Sequence, residues 1–223
     1  MDSWDEPRAR LVQRLLAKGV LKPGRVAEAM RRVPRHLFLQ GHEREAYDDA
    51  PQGIGQGQTI SAPHMVALMA EALGAEPGET VLEVGTGSGY HAAIVAELLR
   101  PHGHVVSVER FPDLAAQARA NLEHAGYSHD HVEVVIADGS GGWEKSAPYD
   151  AIYVTCAAPK VPEPLLAQLK PGGRLLVPVG DLRTQELLRV TKDKDGRVAS
   201  ENLGACVFVP LVGEHGFAET RWN

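Results

Sequence analysis

A short apolar segment, Val81-Leu82-Glu83-Val84, leads straight into a stretch that holds Gly85, Gly87 and Gly89 at alternate positions. Glycine lets the backbone turn sharply and lets a ligand lie against it without a Cβ in the way. A helical pattern begins at Tyr90, so its first free N–H groups point into the same space. A strand, a glycine turn and a helix in this order predict an α/β fold with a ligand crevice at the turn.

Short β-branched segments alternate with helical patterns through the middle of the chain. The predicted strands are 81–84, 105–108, 132–137, 150–155 and 174–179. The predicted helices are 63–73, 90–100, 113–125 and 163–169. Strands that are apolar on both sides and separated by helices are typical of a parallel sheet covered on both faces. We therefore expect an α/β fold with a doubly wound, mostly parallel sheet.

The two ends of the chain have different patterns. Apolar residues at helical spacing predict helices over 8–18 and 23–32. The glycine-rich stretch 40–61 shows no sustained periodicity, so we interpret it as an irregular, functional segment. Segments 186–191 and 203–209 are predicted strands, with a turn at 194–196 between them. We expect an N-terminal helical extension and a C-terminal antiparallel strand pair.

Charge and cysteine content limit the partners and the compartment. The 223 residues carry 23 Lys and Arg against 29 Asp and Glu, which gives a net charge of −6. This balance disfavours nucleic acid and anionic membrane surfaces, since both reward clustered positive charge. The two cysteines, Cys156 and Cys206, fit a reducing cytoplasm. No apolar run approaches the ~20 residues of a membrane span, and the acidic N-terminus is unlike a secretory signal. We expect a cytoplasmic protein.

Acidic residues follow the predicted strands at positions that suit a nucleoside. The loop spacing is G-x-G-x-G, whereas a dinucleotide fingerprint needs a third glycine where Tyr90 stands. Glu109 follows the second strand and can accept hydrogen bonds from both ribose hydroxyls. Asp138 follows the third and can accept from an adenine amine, while Gly139 leaves room for the ring. Any one of these acids could be a solvated strand end, but together they predict one site at the carboxyl edge of the sheet.

Several motifs resemble those of one family of S-adenosylmethionine-dependent methyltransferases. The most specific is 57–66, Gly-Gln-Thr-Ile-Ser-Ala-Pro-His-Met-Val, which resembles the signature of the protein-L-isoaspartate O-methyltransferase family. Motifs at 33–36, 46–49, 138–139, 142–143, 147–150 and 169–173 match the same family in order. The resemblance covers about the whole chain. It implies a Rossmann-like methyltransferase fold in a single domain, with a substrate-side extension (1–61), a cofactor-binding core (62–180) and C-terminal strands (181–223).

The resemblance implies repair of damaged proteins and peptides. The family methylates the α-carboxylate of L-isoaspartyl residues, which form when Asn deamidates or Asp isomerises. The ester closes to a succinimide, which hydrolyses partly to normal Asp. The implied cofactor is S-adenosylmethionine, with S-adenosylhomocysteine as product. Because a carboxylate is already ionised at neutral pH, no general base is needed. The enzyme has to align the reacting atoms and exclude water.

The resemblance also implies the site residues. Ser61 corresponds to the catalytic serine, whose hydroxyl would donate to one carboxylate oxygen and direct the other at the methyl group. Val212 stands where some members carry a polar residue, and it is not part of the predicted site. The residues expected to bind substrate are Gly57, Thr59, Ile60 and Ser61. Those expected to bind cofactor are Ile60, Ser61, His64, Glu83, Gly85, Thr86, Gly87, Ser88, Gly89, Glu109, Asp138 and Gly139.

Other roles for Ser61 and for the histidines follow from the residues alone. Ser61 could cap the helix that begins near Pro63, although proline at the first helical position would make Ala62 the cap. Ser61 has no recognisable His–Asp pair, so we do not expect a covalent nucleophile. The histidines of 102–104 and 129–131 stand in polar loops without a third partner, so no metal is expected.

Other functions stay open on the sequence, because a fold does not determine a function. They are a small-molecule or RNA methyltransferase, a nicotinamide-dependent oxidoreductase, a non-catalytic nucleoside-binding module and a methyltransferase that installs isoaspartate in peptides. Relatives of the last kind tend to carry an added C-terminal domain, whereas this chain ends soon after Trp222. We expect a monomer that acts on damaged proteins and peptides, without nucleic acid or membrane.

Overall fold

The computed structural model describes residues 3–219, so Trp222 lies outside the described residues. Its helices are α1 (Asp5–Ala17), α2 (Arg25–Arg32), α3 (Pro63–Leu73), α4 (Tyr90–Leu99), α5 (Pro112–His124) and α6 (Glu163–Ala167). Its strands are β1 (Gln52–Gly55), β2 (Gln58–Ile60), β3 (Thr80–Val84), β4 (His104–Glu109), β5 (Val132–Ile136), β6 (Tyr149–Val154), β7 (Leu169–Gly180), β8 (Gln185–Lys192) and β9 (Val198–Cys206). Within this part of the chain, no helix has the length and apolar character needed to cross a membrane.

Seven strands form the central sheet in the order β5-β4-β3-β6-β7-β8-β9. The strands from β5 to β7 in this order pair in parallel, with Leu82 of β3 opposite both Val106 of β4 and Ile152 of β6. β8 runs antiparallel to β7, and β9 runs antiparallel to β8. The predicted doubly wound, mostly parallel sheet with a C-terminal antiparallel pair is confirmed.

Alternate residues of the parallel strands face opposite sides of the sheet, as the strand pleat requires. Val81 and Val105 pack on one side in a core shared with the N-terminal helices, α3 and α4. Leu82 and Val106 pack on the other side in a core that includes Leu165 of α6. Because both faces are covered, a ligand can reach the centre of the fold only at the strand ends. The division of the chain into three segments of one domain stays a prediction.

The glycine-rich segment 40–61 is more ordered than the sequence predicts. β1 and β2 form an antiparallel hairpin there, in which Gln52 lies opposite Ile60 and Gly53 opposite Thr59. The turn includes Gln56, whose φ of 53° is a left-handed conformation unusual for a residue with a side chain. Glycines at every second position of β1 carry no side chains, so the alternation that marks a strand is hidden in the sequence.

The last strand begins earlier than predicted. β9 starts at Val198, five residues before the predicted start at 203, and it ends at Cys206 rather than 209. Its first five residues are all exposed, so they show no alternation of apolar and polar side chains. An edge strand exposed on both faces cannot be recognised from hydrophobic periodicity.

Candidate active site

A cavity of about 1150 Å³ opens at the carboxyl ends of β3 and β4. The hairpin residues 56–60 line one side, and residues 205–212 line another. The predicted site residues that line it are Gly57, Thr59, Ile60, Ser61, His64, Glu83, Gly85, Thr86, Gly87, Ser88, Glu109 and Gly139. Two predicted residues, Gly89 and Asp138, are not on its wall. The structure therefore brings most of the predicted substrate and cofactor residues to one space.

Glu109 is held rigidly at the cavity wall by the backbone around it. Its Oε2 accepts from the N–H of Gly87 at 2.9 Å, and its Oε1 accepts from the N–H of Phe111 at 3.0 Å. The side chain is only 5% exposed, at the end of β4. Each carboxylate oxygen has a second lone pair, so the group can still accept hydrogen bonds from a ligand.

The glycine loop is supported from behind by short polar side chains. Thr155 Oγ1 donates to the carbonyl oxygen of Gly85 at 2.6 Å. A Cβ at Gly85, whose φ is 97°, would collide with that hydroxyl, so no other residue fits there. Thr86 Oγ1 lies 2.6 Å from Ser107 Oγ, which donates to Glu83 Oε2. Gly89 belongs to the same support, because it lies close to Leu122 and is the N-cap of α4.

Glu83 is buried within this support and is protonated at neutral pH. Burial raises the pKa of its carboxyl to about 8, although the hydrogen bond from Ser107 opposes that rise. Its Oε1 has no hydrogen-bond partner among residues 3–219. His91, which also lines the cavity, is neutral because burial lowers the pKa of its imidazole to about 3. Glu83 therefore acts first as a support of the loop, and its predicted contact with a cofactor stays a prediction.

The Glu83→Gln substitution is expected to remove a pH dependence of stability. Above pH 4.5, the ordinary pKa of a glutamate, the Glu83 carboxyl loses its proton in the unfolded chain but keeps it in the folded chain up to about pH 8. The free energy of unfolding therefore falls as the pH rises from 4.5 to about 8. His91 loses a proton on folding and opposes this trend only below its ordinary pKa of 6.5.

Between the ordinary pKa of histidine, 6.5, and the raised pKa of Glu83, about 8, the free energy of unfolding of wild type should fall by at most about 1.4 kcal/mol per pH unit. Glu83→Gln should lack that slope. Urea unfolding at a series of pH values measures it, with Glu186→Gln, an exposed glutamate of β8, as the control. Equal slopes in wild type and Glu83→Gln would show that Glu83 is ionised in the folded chain.

Asp138 holds the C-terminal loop and is not among the residues that line the cavity, so its predicted contact with adenine stays a prediction. Its Oδ1 accepts from the N–H of Ser140 at 2.9 Å, and its Oδ2 accepts from the N–H of Glu214 at 2.8 Å. Partial burial works to raise the pKa of Asp138, but these N–H groups hold it below its usual value. A Cβ at Gly213 would overlap the carboxylate, so the loop packs directly on it. Gly139, the next residue, does line the cavity.

Ser61 stands at the cavity wall with its hydroxyl unengaged. The N-cap of α3 is Ala62, with Pro63 in the first turn, and no side chain of the cap residue makes a capping bond. The alternative that Ser61 caps this helix is therefore wrong. Within residues 3–219, the Ser61 hydroxyl makes no hydrogen bond, and only the Ser61 carbonyl oxygen is engaged, by Arg35 Nη2 at 2.9 Å.

A His–Asp pair lies beside Ser61, contrary to the expectation from sequence. Asp49 Oδ1 accepts from the backbone N–H of His64 at 2.9 Å and lies 2.8 Å from His64 Nδ1. Partial burial works to raise the pKa of Asp49, but the bonds from His64 and Lys18 bring it below its ordinary value. An ionised carboxylate only accepts, so His64 Nδ1 carries a hydrogen and Nε2 is left for a ligand. No hydrogen bond joins Ser61 to His64 in the described chain, so the pair does not activate the serine.

Some residues of the site could not be recognised from the sequence. Asp49 is fifteen positions from His64 and reaches it only because the hairpin folds back. Val212, which was not part of the predicted site, lines the cavity. The other unpredicted wall residues include Arg110, Phe111, Thr155, Leu182, Val207 and Leu211. A glycine loop and strand-end acids mark one half of such a site, whereas the remaining walls come from distant segments without a motif.

The charges of the cavity wall suit a nucleoside without phosphate groups. Arg110 is the one Lys or Arg among the described wall residues, and its Nη2 is paired with Glu219 Oε1 at 2.6 Å. A pyrophosphate would be bound by free cations or glycine N–H groups, but the Gly87 N–H is already engaged by Glu109. Among the described residues, no group of three His, Cys, Asp or Glu side chains is arranged to hold a metal ion.

The sequence matches one protein family over most of its length. The family model for Protein-L-isoaspartate(D-aspartate) O-methyltransferase (PCMT) matches residues 6–216. A protein-L-isoaspartate O-methyltransferase of Methanopyrus kandleri is 56% identical over 213 residues, which is 95% of this chain and 94% of the relative. Protein-L-isoaspartate O-methyltransferase 2 of Archaeoglobus fulgidus is 54% identical over 221 residues, 99% of each chain.

Comparison with solved structures agrees with the sequence. A Plasmodium falciparum protein described as a beta-aspartate methyltransferase matches with a TM-score of 0.79 and 27% sequence identity. The match covers 91% of this chain and 96% of that one. The Plasmodium protein was crystallised in complex with S-adenosyl-L-homocysteine.

Proposed function

This chain belongs to the protein-L-isoaspartate(D-aspartate) O-methyltransferase family, and from that premise we propose that it repairs damaged proteins. It transfers a methyl group from S-adenosylmethionine to the α-carboxylate of L-isoaspartyl residues in proteins and peptides. The ester then closes to a succinimide, which returns partly to Asp. The observation that supports this most is that Ser61 and Glu109, one from each predicted half of the site, line the same cavity.

The walls of the cavity fit S-adenosylmethionine. Glu109 offers two fixed carboxylate oxygens for the ribose hydroxyls, and Gly139 leaves room for an adenine ring. Glu83 Oε1 is a buried atom without a hydrogen-bond partner in the described chain, and His64 Nε2 is left for a ligand. The cavity wall also includes Ile60, Gly85, Thr86, Gly87 and Ser88. Gly89 and Asp138 are not on that wall, and their predicted contacts with the cofactor stay predictions. When bound, the cofactor supplies a methyl group on a positively charged sulfur.

The chain's own residues have little acid–base chemistry to perform. The substrate carboxylate is ionised at neutral pH, so it is a nucleophile without help. The Ser61 hydroxyl, which the fold leaves without a partner, donates to one carboxylate oxygen and thereby directs the other toward the methyl group. The hairpin and residues 205–212 enclose the reactants and exclude water, which strengthens these electrostatic contacts.

The β1–β2 hairpin is suited to bind a peptide by its backbone. Its sheet consists of these two strands alone, so each strand has an outer edge without a pairing strand in the described chain. Gly57, Thr59 and Ile60 lead from that hairpin to Ser61 along the cavity wall. Binding through main-chain hydrogen bonds tolerates many side chains. That tolerance suits a repair enzyme, whose substrates share a damaged linkage rather than a sequence.

Charge and cysteine content bear on where the enzyme acts and which partners it takes. We place it in the cytoplasm as a monomer that acts on proteins and peptides, without nucleic acid or membrane. The net charge of −6 and the reduced cysteines Cys156 and Cys206 support this assignment. A small-molecule or RNA methyltransferase on the same fold, or an enzyme that installs isoaspartate, is the second candidate.

Glu109→Ala is expected to weaken binding of S-adenosylmethionine. Loss of charge-assisted hydrogen bonds to the ribose should cost roughly 1.5–3 kcal/mol, or about 10- to 150-fold in Kd. Isothermal titration calorimetry measures this on variants whose circular dichroism shows that they are folded. Glu123→Ala, an exposed carboxylate of α5, is the matched control and should bind as wild type. An unchanged Kd in folded Glu109→Ala would mean that the nucleoside lies elsewhere.

Transfer of a labelled methyl group tests the proposed reaction itself. The chain is incubated with methyl-labelled S-adenosylmethionine and an isoaspartyl peptide, and the product is detected as a base-labile ester. Parallel reactions with structured RNA and with small carboxylic acids test the second candidate. Label on the peptide alone supports repair chemistry, whereas label on RNA or small acids alone refutes it.

A further inference from the structure

The Arg35 side chain is wholly buried and joins two segments of the active site. It lies in a 3-10 helix of residues Arg35–Phe38 and is 0% exposed. Nε donates to the carbonyl oxygen of Ala46 at 2.8 Å, and Nη2 donates to the carbonyl oxygen of Ser61 at 2.9 Å. Its Cζ lies 4.7 Å from the centre of the Tyr90 ring. One guanidinium therefore links the segment before Asp49 to the backbone of Ser61.

The charge on Arg35 has no carboxylate partner in the described chain. Arg35 forms no ion pair there, and its Nη1 is buried without a hydrogen-bond partner. Asp49 acts on it electrostatically, but that carboxylate is already bonded to His64 and paired with Lys18 at 3.2 Å. Arginine stays protonated at neutral pH, so a positive charge is buried with incomplete compensation. Such a charge is costly unless an anion comes close to it.

The anion that the proposed reaction brings to Ser61 is the substrate α-carboxylate. Methylation converts that group into a neutral ester, so substrate and product differ by one negative charge at this point. We propose that Arg35 is a positioning residue with two effects. It fixes Ser61 by holding the Ser61 carbonyl oxygen, and its charge favours an anionic carboxylate over a neutral group beside Ser61. This role of Arg35 rests on the proposed function. It adds that the enzyme binds the carboxylate substrate in preference to the methyl ester product.

The two parts of this role are separated by two substitutions. Arg35→Gln removes the charge, whereas Arg35→Lys keeps it but lacks the planar fork that reaches both carbonyl oxygens. Arg35→Lys should therefore keep the preference for the carboxylate and lose kcat, because Ser61 is held less firmly. Arg35→Gln should lose both.

The preference is measured by peptide binding to the chain saturated with S-adenosylhomocysteine. The probes are an isoaspartyl peptide and its α-carboxamide analogue, in which isoasparagine replaces isoaspartate. Wild type should bind the carboxylate at least about tenfold more tightly, and Arg35→Gln should bring the two affinities within about threefold of each other. The affinity for S-adenosylhomocysteine should stay as in wild type. A general loosening of the fold would weaken that affinity as well, so an unchanged value excludes it.

Arg14→Gln is the matched control. Arg14 Nη2 donates to the carbonyl oxygen of Tyr47, one residue from the carbonyl that Arg35 holds, but Arg14 has no bond to Ser61. Its peptide preference and kcat should equal those of wild type. Equal binding of both peptides by wild type would overturn the inference without any variant, even if Arg35→Gln does not fold. An unchanged preference in folded Arg35→Gln would overturn it as well. Failure of the proposed function is a different result, since wild type would then methylate no isoaspartyl peptide.

Discussion

Ser61→Ala is expected to fold and to bind S-adenosylmethionine normally, yet to methylate an isoaspartyl peptide about 10 to 1,000 times more slowly than wild type. The hydroxyl orients a nucleophile that is already ionised, so its loss slows the reaction without abolishing it. Stability should change little, because Ala62 is the N-cap of α3 and the Ser61 hydroxyl has no partner in the described chain. Single-turnover rates at saturating cofactor measure the effect on the chemical step.

Two further variants make this result specific. Ser61→Thr keeps a hydroxyl at the same position and should recover part of the lost rate. Ser200→Ala removes an exposed hydroxyl on β9 and should react as wild type. Full activity in Ser61→Ala would contradict the role assigned to the serine. Unfolding of Ser61→Ala would mean that the side chain stabilises the start of α3 after all.

The sheet could be predicted from the sequence because local patterns and the fold agree there. The helix predicted over 63–73 matches α3 at both ends, since Pro63 begins it and Gly74, in a left-handed conformation, ends it. Apolar β-branched segments likewise predicted β3 to β7, because the local pattern and the fold agree there. Such strands are buried on both faces and cannot be confused with exposed loops.

The glycine loop and Glu109 were also recognisable, because their spacing follows from the geometry of a strand, a turn and a helix. Asp138 shows the limit of that reasoning. Its place after β5 predicts a ligand contact, but the sequence does not show that its two oxygens also accept from the N–H groups of Ser140 and Glu214. The C-terminal loop that brings Glu214 there is 76 residues away in sequence. No local pattern reports such a contact.

The surroundings of Ser61 depend on contacts of the same long-range kind. Asp49 fixes His64 and Arg35 fixes the Ser61 carbonyl oxygen, across 15 and 26 residues. The hairpin that brings these segments together has no visible alternation in sequence. The resemblance to a family identified Ser61, but only the folded chain shows what holds it.

The second large effect concerns discrimination between isoaspartyl and normal aspartyl linkages. In isoaspartate the main chain runs through the side-chain carbonyl, so the α-carboxylate is a short branch. A normal Asp presents its carboxylate one methylene further from the main chain. Ser61 is fixed on the backbone side by Arg35 and lies two residues before Pro63, which begins α3, so its hydroxyl cannot follow a displaced carboxylate freely. A displacement of about 1 Å can cost about 100-fold in rate, so we expect at least that ratio in kcat/KM.

Direct competition between two peptides of identical sequence that differ only in this linkage tests the central claim. Both are present in one reaction with the wild-type chain and labelled S-adenosylmethionine, and mass spectrometry of the separated peptides reports the methyl ester on each. Repair predicts that the isoaspartyl peptide is methylated at least about 100 times faster than the aspartyl peptide. Comparable methylation of the two peptides would contradict the proposed function, even if the cofactor binds where Glu109 indicates.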